Sequence, residues 1–181
     1  MKLLVIADID DFRWKHGAGE ADVLLSCGDV CDEVIAEAAK SFGCRHIFAV
    51  KGNHDSGAPF PDPINDLHLQ AQVHGDWTFG GLNGSWKYKP RGNFLYEQWQ
   101  VEDFLSQFPA VDIFCSHNSP RGIHDREDDV HYGFDALVSY ISKTKPKYLI
   151  HGHQHVDQAT LVDETQVIGV FGHRLIEIEE I

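Results

Sequence analysis

The amino-acid sequence predicts an α/β protein, and three observations carry that prediction. Lys2 to Ala7, Ala21 to Ser26 and Arg45 to Val50 are short, largely apolar runs of the kind found in strands covered on both faces. Between the second and third, Asp32 to Phe42 places Val34, Ile35, Ala38, Ala39 and Phe42 at helical spacing and stops at Gly43. Each of the three runs also ends abruptly in polar residues: Asp8-Ile9-Asp10, then Gly28-Asp29, then Gly52-Asn53-His54-Asp55. Ligands of α/β sheets collect at the carboxyl ends of strands, so a site is predicted there.

The remaining elements follow in order. After a connection holding Pro59, Pro61 and Pro63, the stretches Leu67 to Val73 and Trp77 to Leu82 flank His74-Gly75-Asp76 and read as a hairpin. Asn93 to Phe108 reads as a helix with Leu95, Trp99, Val101, Phe104, Leu105 and Phe108 on its apolar side, ended by Pro109. Val111 to Cys115 is a buried strand that delivers Ser116-His117, and Asn118 to Tyr132, rich in acidic residues, reads as an exposed loop. A helix over Phe134 to Ser142 precedes a strand over Tyr148 to Ile150, which leads into Gly152-His153-Gln154-His155. Val156 to Val162, Gln166 to Phe171 and Arg174 to Ile178 read as a closing antiparallel meander.

Composition narrows the function class. A chain of 181 residues, 43% of them hydrophobic, suits one domain over 1–181 with a substantial core. Its 28 acidic residues against 15 basic ones give a formal charge of −13. That charge argues against a general nucleic-acid binder, whose affinity comes from neutralising phosphates. Cys27, Cys31, Cys44 and Cys115 form no Cys-x-x-Cys pair and read as reduced, mostly buried thiols of a reducing compartment. No apolar run approaches bilayer length, and Leu3 to Ala7 is too short for a signal peptide, so a cytoplasmic protein without membrane partners is expected. Oligomeric state is not legible.

Each polar cluster alone has a plain structural reading. Gly28-Asp29 and Gly52-Asn53 are common turn dipeptides, and carboxylates near Asp8 suit a solvated loop. Gly152-His153-Gln154-His155 is more telling, since two imidazoles one residue apart after a buried strand can face the same way and reach one or two metal ions. Carboxylates, an amide oxygen and imidazoles arriving from separate strand ends suit a pair of divalent cations, which activates water against phosphate esters.

In this order, Gly28-Asp29-Val30-Cys31-Asp32, Gly52-Asn53-His54-Asp55, His117 and Gly152-His153-Gln154-His155 make the chain resemble the calcineurin-like metallophosphoesterases over nearly its whole length. The resemblance implies a four-layer α-β-β-α sandwich of two mixed sheets with a dinuclear site at the strand ends. It implies Asp29 as the bridging ligand, Asp8 and His155 completing the first metal, and Asn53, His117 and His153 holding the second. His54 is implied as a non-ligand that meets the phosphoryl group or leaving oxygen, with Asp55 orienting its imidazole. The implied activity is hydrolysis of a small phosphomonoester or phosphodiester by a metal-bridging water or hydroxide; a non-catalytic metal-binding scaffold of the same fold is the alternative. Ligands of oxygen and nitrogen without thiolate favour Mn²⁺, with Fe, Zn²⁺ and Mg²⁺ as alternatives.

The chain departs from the family pattern at Asp10, where the family usually carries histidine. A carboxylate there still ligates, as a harder and shorter donor, and shifts the first metal towards Mn²⁺ or Mg²⁺ and away from Zn²⁺. His16 lies near enough in sequence to substitute. Trp86, Lys87, Tyr88, Lys89 and Arg91, with Arg121, form the one basic and aromatic cluster that could receive a phosphate's non-reacting side. The loop after His117 is the expected substrate wall, and His151 is a candidate neighbour of the ligands.

Overall fold

Successive residues of a strand face opposite ways, and the first strand uses both faces for packing. In the computed structural model, which describes residues 1–179, β1 (Lys2–Ala7) sends Leu3, Val5 and Ala7 into one apolar cluster and Leu4 and Ile6 into another. β2 (Val23–Ser26) divides likewise, with Val23 and Leu25 on one side and Leu24 on the other. Next come α1 (Asp32–Phe42), β3 (His46–Ala49) and β4 (Ile64–Asp66). The five residues expected on the apolar side of α1 are buried, Asp32 and Glu33 occupy its positive N-terminal end, and Gly43 closes it in the left-handed conformation.

The second half of the chain supplies β5 (Gln72–His74), β6 (Trp77–Leu82), β7 (Ser85–Trp86), β8 (Leu95–Tyr96), α2 (Gln98–Ser106), β9 (Ile113–Ser116), α3 (Asp135–Thr144), β10 (Tyr148–His151), β11 (Gln158–Val162), β12 (Thr165–Gly169) and β13 (Gly172–Glu177). Two mixed sheets result. One has the order β13-β1-β2-β3-β4 and is parallel except for β13; the other has the order β11-β12-β10-β9-β6-β5 and is parallel except at its two edges.

Three apolar clusters stack the layers. The central one joins Leu3, Val5 and Leu25 of the first sheet to Phe79, Ile113, Ile150 and Ile168 of the second. α1 packs on the outer face of the first sheet, and α2 and α3 pack on the outer face of the second. The order is therefore helix, sheet, sheet, helix. Cys27 and Cys115 meet between the sheets with their sulfurs 3.5 Å apart, whereas Cys31 and Cys44 are only half-buried. Among the described residues no helix is long and apolar enough to cross a membrane.

The structure corrects three expected elements. The hairpin exists, but its first strand begins at Gln72, because Leu67 is still bonded to Ala49 of the first sheet and is buried between the sheets. The helix expected from Asn93 begins at Gln98. A capping box between Glu97 and Gln100 starts it, Leu95 and Tyr96 pair with Ser85 and Trp86, and Trp99 is two-thirds exposed. The closing meander is only a hairpin of β11 and β12. β13 crosses to the other sheet and pairs with the edge of β1, which brings Ile176 into the central core.

Candidate metal centre

Five parallel strands end on one edge of the molecule. Asp8 follows β1, Asn53 follows β3 by a short turn, Asp29 follows β2, and His117 and His153 follow β9 and β10 of the opposite sheet. Asp8 and Asp29 at φ 54°, His153 at φ 62° and His155 at φ 51° all adopt the left-handed conformation, which costs a non-glycine residue about 1–2 kcal/mol. Such strain persists where surrounding contacts over-determine it, and it gathers at functional sites.

Glycine sets how closely the turns approach. A Cβ on Gly28 would lie 2.6 Å from the Gly52 nitrogen and 2.7 Å from His117 Nδ1, and one on Gly52 would overlap the Asp29 carboxylate. With neither Cβ present, the turn after β2 lies directly against the turn after β3.

One ligand atom each from Asp8, Asp29 and His117 lies within 4.8 Å of the others. His117 is fully buried; its Nδ1 donates to the Cys27 carbonyl at 2.7 Å, so the free edge of the ring is Nε2. That Nε2 faces Asn53 Oδ1 at 3.1 Å and Asp29 Oδ2 at 3.3 Å. The Asn53 amide donates to the Tyr88 hydroxyl at 3.2 Å, which turns its oxygen inward. His153 gives its backbone N–H to Asp8 Oδ2 at 2.8 Å and its Nε2–H to the Val130 carbonyl at 3.1 Å, leaving Nδ1 free. His155 Nε2 lies 3.7 Å from Asp8 Oδ1, a buried oxygen without a hydrogen-bond partner.

Charge follows this geometry. Burial opposes a proton on His117, but the Asp29 carboxylate outweighs it and pushes the imidazole up to about 9. Burial likewise opposes charge on Asp29, and His117 outweighs it to bring the carboxyl down to about 2. His153 is held neutral, first by burial and then by the charge of His117. Two oxygens and a ring nitrogen converging on one point need a positive charge between them, supplied by a proton or a metal ion. The orphan oxygen of Asp8 and the thiolate-free donor set fit divalent cations in the same way.

The other expected residues occupy different places. The His54 imidazole is exposed, and its backbone N–H is held by Asp29 Oδ1 at 2.8 Å. Asp55 does not orient that imidazole. Its Oδ2 accepts the backbone N–H groups of Gly52 at 2.7 Å and Asp29 at 2.9 Å, and so clamps the two turns together. Asp10 is exposed and outside the convergence of Asp8, Asp29 and His117. It lines a neighbouring cleft with Asp8, Asp11, His16, Phe171 and His173, where His16 stacks beside His173 at 5.3 Å. Two members of the basic cluster are already paired: Lys87 with Glu97 at 3.1 Å, and Arg121 with Asp125, where it also covers the Tyr132 ring; Lys89 and Arg91 form no ion pair among the described residues.

Several contributors escape sequence reading. Gln154 Nε2 reaches Asn118 Oδ1, Ser119 Oγ and the His131 carbonyl at 3.0–3.1 Å, pinning the 118–132 loop to the His153 turn. Its place between the two histidines was the available signal. The carbonyls of Cys27 and Val130 leave no trace in residue type. His151, which the sequence does single out, is fully buried and hydrogen-bonds His124 at 2.9 Å, and His124 meets Thr160 at 2.9 Å, so the same loop is tied to β11 as well.

Comparison with known proteins agrees with this geometry. No curated protein sequence matches the chain. Solved structures share its fold at low identity. They include a phosphopantetheinyl hydrolase from Mycobacterium tuberculosis (14% identity, TM-score 0.63, covering 94% of this chain and 89% of that one). The protein TT1561 of Thermus thermophilus is similar at 12% identity and TM-score 0.61, covering 94% and 89%. Vps29 from Entamoeba histolytica, complexed with Zn²⁺, is similar at 16% identity and TM-score 0.52, covering 98% and 86%. The calcineurin-like phosphoesterase family matches residues 1–157, and the chain belongs to that family.

Proposed function

We propose that the protein is a metal-dependent hydrolase of a small phosphomonoester or phosphodiester. The observation that carries this reading is the approach of Asp8, Asp29 and His117 to within 4.8 Å, from strand ends of both sheets, with the Asn53 oxygen beside them. Asp29 lies next to His117 and to the turn after β3. In the family's arrangement Asp29 would bridge two ions, with Asp8 and His155 on one and Asn53, His117 and His153 on the other.

Two divalent cations, when bound there, supply positive charge for the phosphate oxygens and acidify a water towards neutral pH; Mn²⁺ suits this mixed oxygen and nitrogen donor set best. The chain's own residues do the rest. The carbonyls of Cys27 and Val130 fix the histidine tautomers, and Tyr88 fixes the Asn53 amide. The exposed His54 imidazole is available to give a proton to the leaving alkoxide, because Asp29 anchors its backbone and its ring has no hydrogen-bond partner among the described residues. Removing one such donor typically costs about 10²–10³ in rate.

The test is hydrolysis of p-nitrophenyl phosphate and bis-p-nitrophenyl phosphate with Mn²⁺, Fe²⁺, Ni²⁺ or Zn²⁺, comparing wild type with Asp29→Asn and His54→Ala. Turnover that both substitutions abolish supports the reading. No turnover with any metal, or unchanged rates in Asp29→Asn, overturns it. The exposed position of Asp10 favours one second reading, a scaffold that binds metal without turnover. Two ions per chain together with no hydrolysis of either ester would select it.

A further inference from the structure

Beside the candidate metal centre lies a cleft of about 590 Å³. It is lined by the aromatic residues Trp86, Tyr88 and Tyr132, by the carboxylates of Glu127, Asp128, Asp129 and Asp135, and by Lys87 and Gln98. The three aromatic residues are all half-buried, and Trp86 and Tyr132 have ring centroids 5.9 Å apart. One of its lining side chains reaches the candidate metal centre, since the Tyr88 hydroxyl receives the Asn53 amide at 3.2 Å.

Two of the three rings already carry a cation of the protein, with Arg121 over Tyr132 at 3.7 Å and Lys89 over Tyr88 at 4.9 Å, whereas the Trp86 ring carries none among the described residues. Lys87 pairs with Glu97, and Asp128 is met by His131 at 2.9 Å and by Arg126 at 3.8 Å. No lysine, arginine or histidine nitrogen lies within 4 Å of the carboxylates of Glu127, Asp129 or Asp135 among the described residues. The helix starts that border the cleft offer little to an anion: the first turn of α2 is closed by its capping box, and the Asp135 N–H donates to Gln98 Oε1 at 3.0 Å. Aromatic faces with uncompensated carboxylates recognise alkylammonium groups, through ring quadrupole and charge together. An anionic leaving group would be repelled here.

We propose that this cleft is the leaving-group pocket and that it takes an alcohol bearing a cationic amine, so that the substrate is an aminoalkyl or trialkylammonioalkyl phosphate ester. The proposal rests on the phosphoesterase reading above. In the reaction the bond from phosphorus to the ester oxygen breaks, water's oxygen joins phosphorus, and a proton passes to the departing amino alcohol.

The test compares kcat/KM of the Mn²⁺-loaded protein for phosphocholine and for 3,3-dimethylbutyl phosphate, its neutral isostere. We expect a preference of about 5- to 30-fold for phosphocholine, the size of one cation–π site with partial desolvation. The preference should collapse towards unity in Glu127→Gln/Asp129→Asn and in Trp86→Leu. Because the ratio is internal to each protein, a general loss of activity cancels. Choline chloride, titrated calorimetrically against sodium chloride at equal ionic strength, gives a second readout and should bind wild type but not the variants. Hydrolysis of both esters with a ratio of one or below overturns the cationic pocket and leaves the phosphoesterase reading standing. Choline binding without hydrolysis of any ester upholds the cation site and overturns the phosphoesterase reading. Neither hydrolysis nor choline binding overturns both.

Discussion

Metal uptake should be linked to the proton on His117. Its imidazole is pushed up to about 9 from an ordinary value of 6.5 because Asp29 outweighs the cost of burial. A raised value means that the fold favours the protonated ring: the stabilisation is complete below pH 6.5 and is lost as pH rises through about 9. A divalent cation that uses Nε2 must displace that proton, so between pH 6.5 and 8.5 each unit of pH raises apparent affinity by about tenfold, or about 100-fold over the range. His155, raised by the Asp8 carboxylate 3.7 Å away, can only steepen this dependence. Calorimetric Mn²⁺ titrations in two buffers of different ionisation enthalpy report both the affinity and the protons released. In Asp29→Asn, burial should leave His117 neutral, so that its proton release disappears while affinity falls. Affinity in the wild type that does not move between pH 6.5 and 8.5, or uptake that releases no proton at pH 7.5, would refute the argument.

Tyr88→Phe removes one hydroxyl and frees the Asn53 amide to rotate; loss of such support typically weakens metal binding about 10- to 100-fold, and one of the two sites should weaken in the same titration while the other holds. Gly28→Ala should cost about 2–4 kcal/mol, because the new Cβ meets Gly52 N and His117 Nδ1 and a left-handed φ of 91° is imposed on alanine. Gly43→Ala, also left-handed but facing open space, should cost only about 1–2 kcal/mol; similar melting temperatures for the two variants would contradict the close-approach argument. Gln154→Ala should release the 118–132 loop, seen as faster amide exchange at His131 and Tyr132 with slower change in the central strands. Unchanged exchange there would show that the His124 contacts to His151 and Thr160 hold the loop without Gln154.

The parallel strands were the most legible part of the fold, for a physical reason. A strand buried on both faces must be apolar at every position, so β1, β2, β3, β9 and β10 stand out as continuous runs. Edge strands lack that constraint. β13, in which only Ile176 is buried, reads equally well as part of a meander, and only the open edge of β1 determines where it pairs. α2 shows the same limit from another side: Leu95 and Trp99 fit a helical stripe, but pairing of Leu95 with Ser85 depends on a long-range contact that no local pattern encodes.

At the site, residue type and order reveal the candidate ligands because ligand chemistry admits few side chains. What supports them is carried largely by backbone, and backbone is the same at every residue. The carbonyls that set the tautomers of His117 and His153 belong to Cys27 and Val130, whose side chains have no part in it. Asp55 illustrates the consequence. Its neighbour in sequence is His54, which suggested a partnership of two side chains, but its carboxylate binds the N–H groups of Gly52 and Asp29 and orders two turns. Substitution of Asp55 should therefore act through Asp29, and with it through the metals, rather than through the protonation of His54. Asp10 carries the converse lesson. Its motif position suggested a ligand, yet its exposed side chain lines the cleft shared with Asp8, His16 and His173 and stands outside the convergence of Asp8, Asp29 and His117.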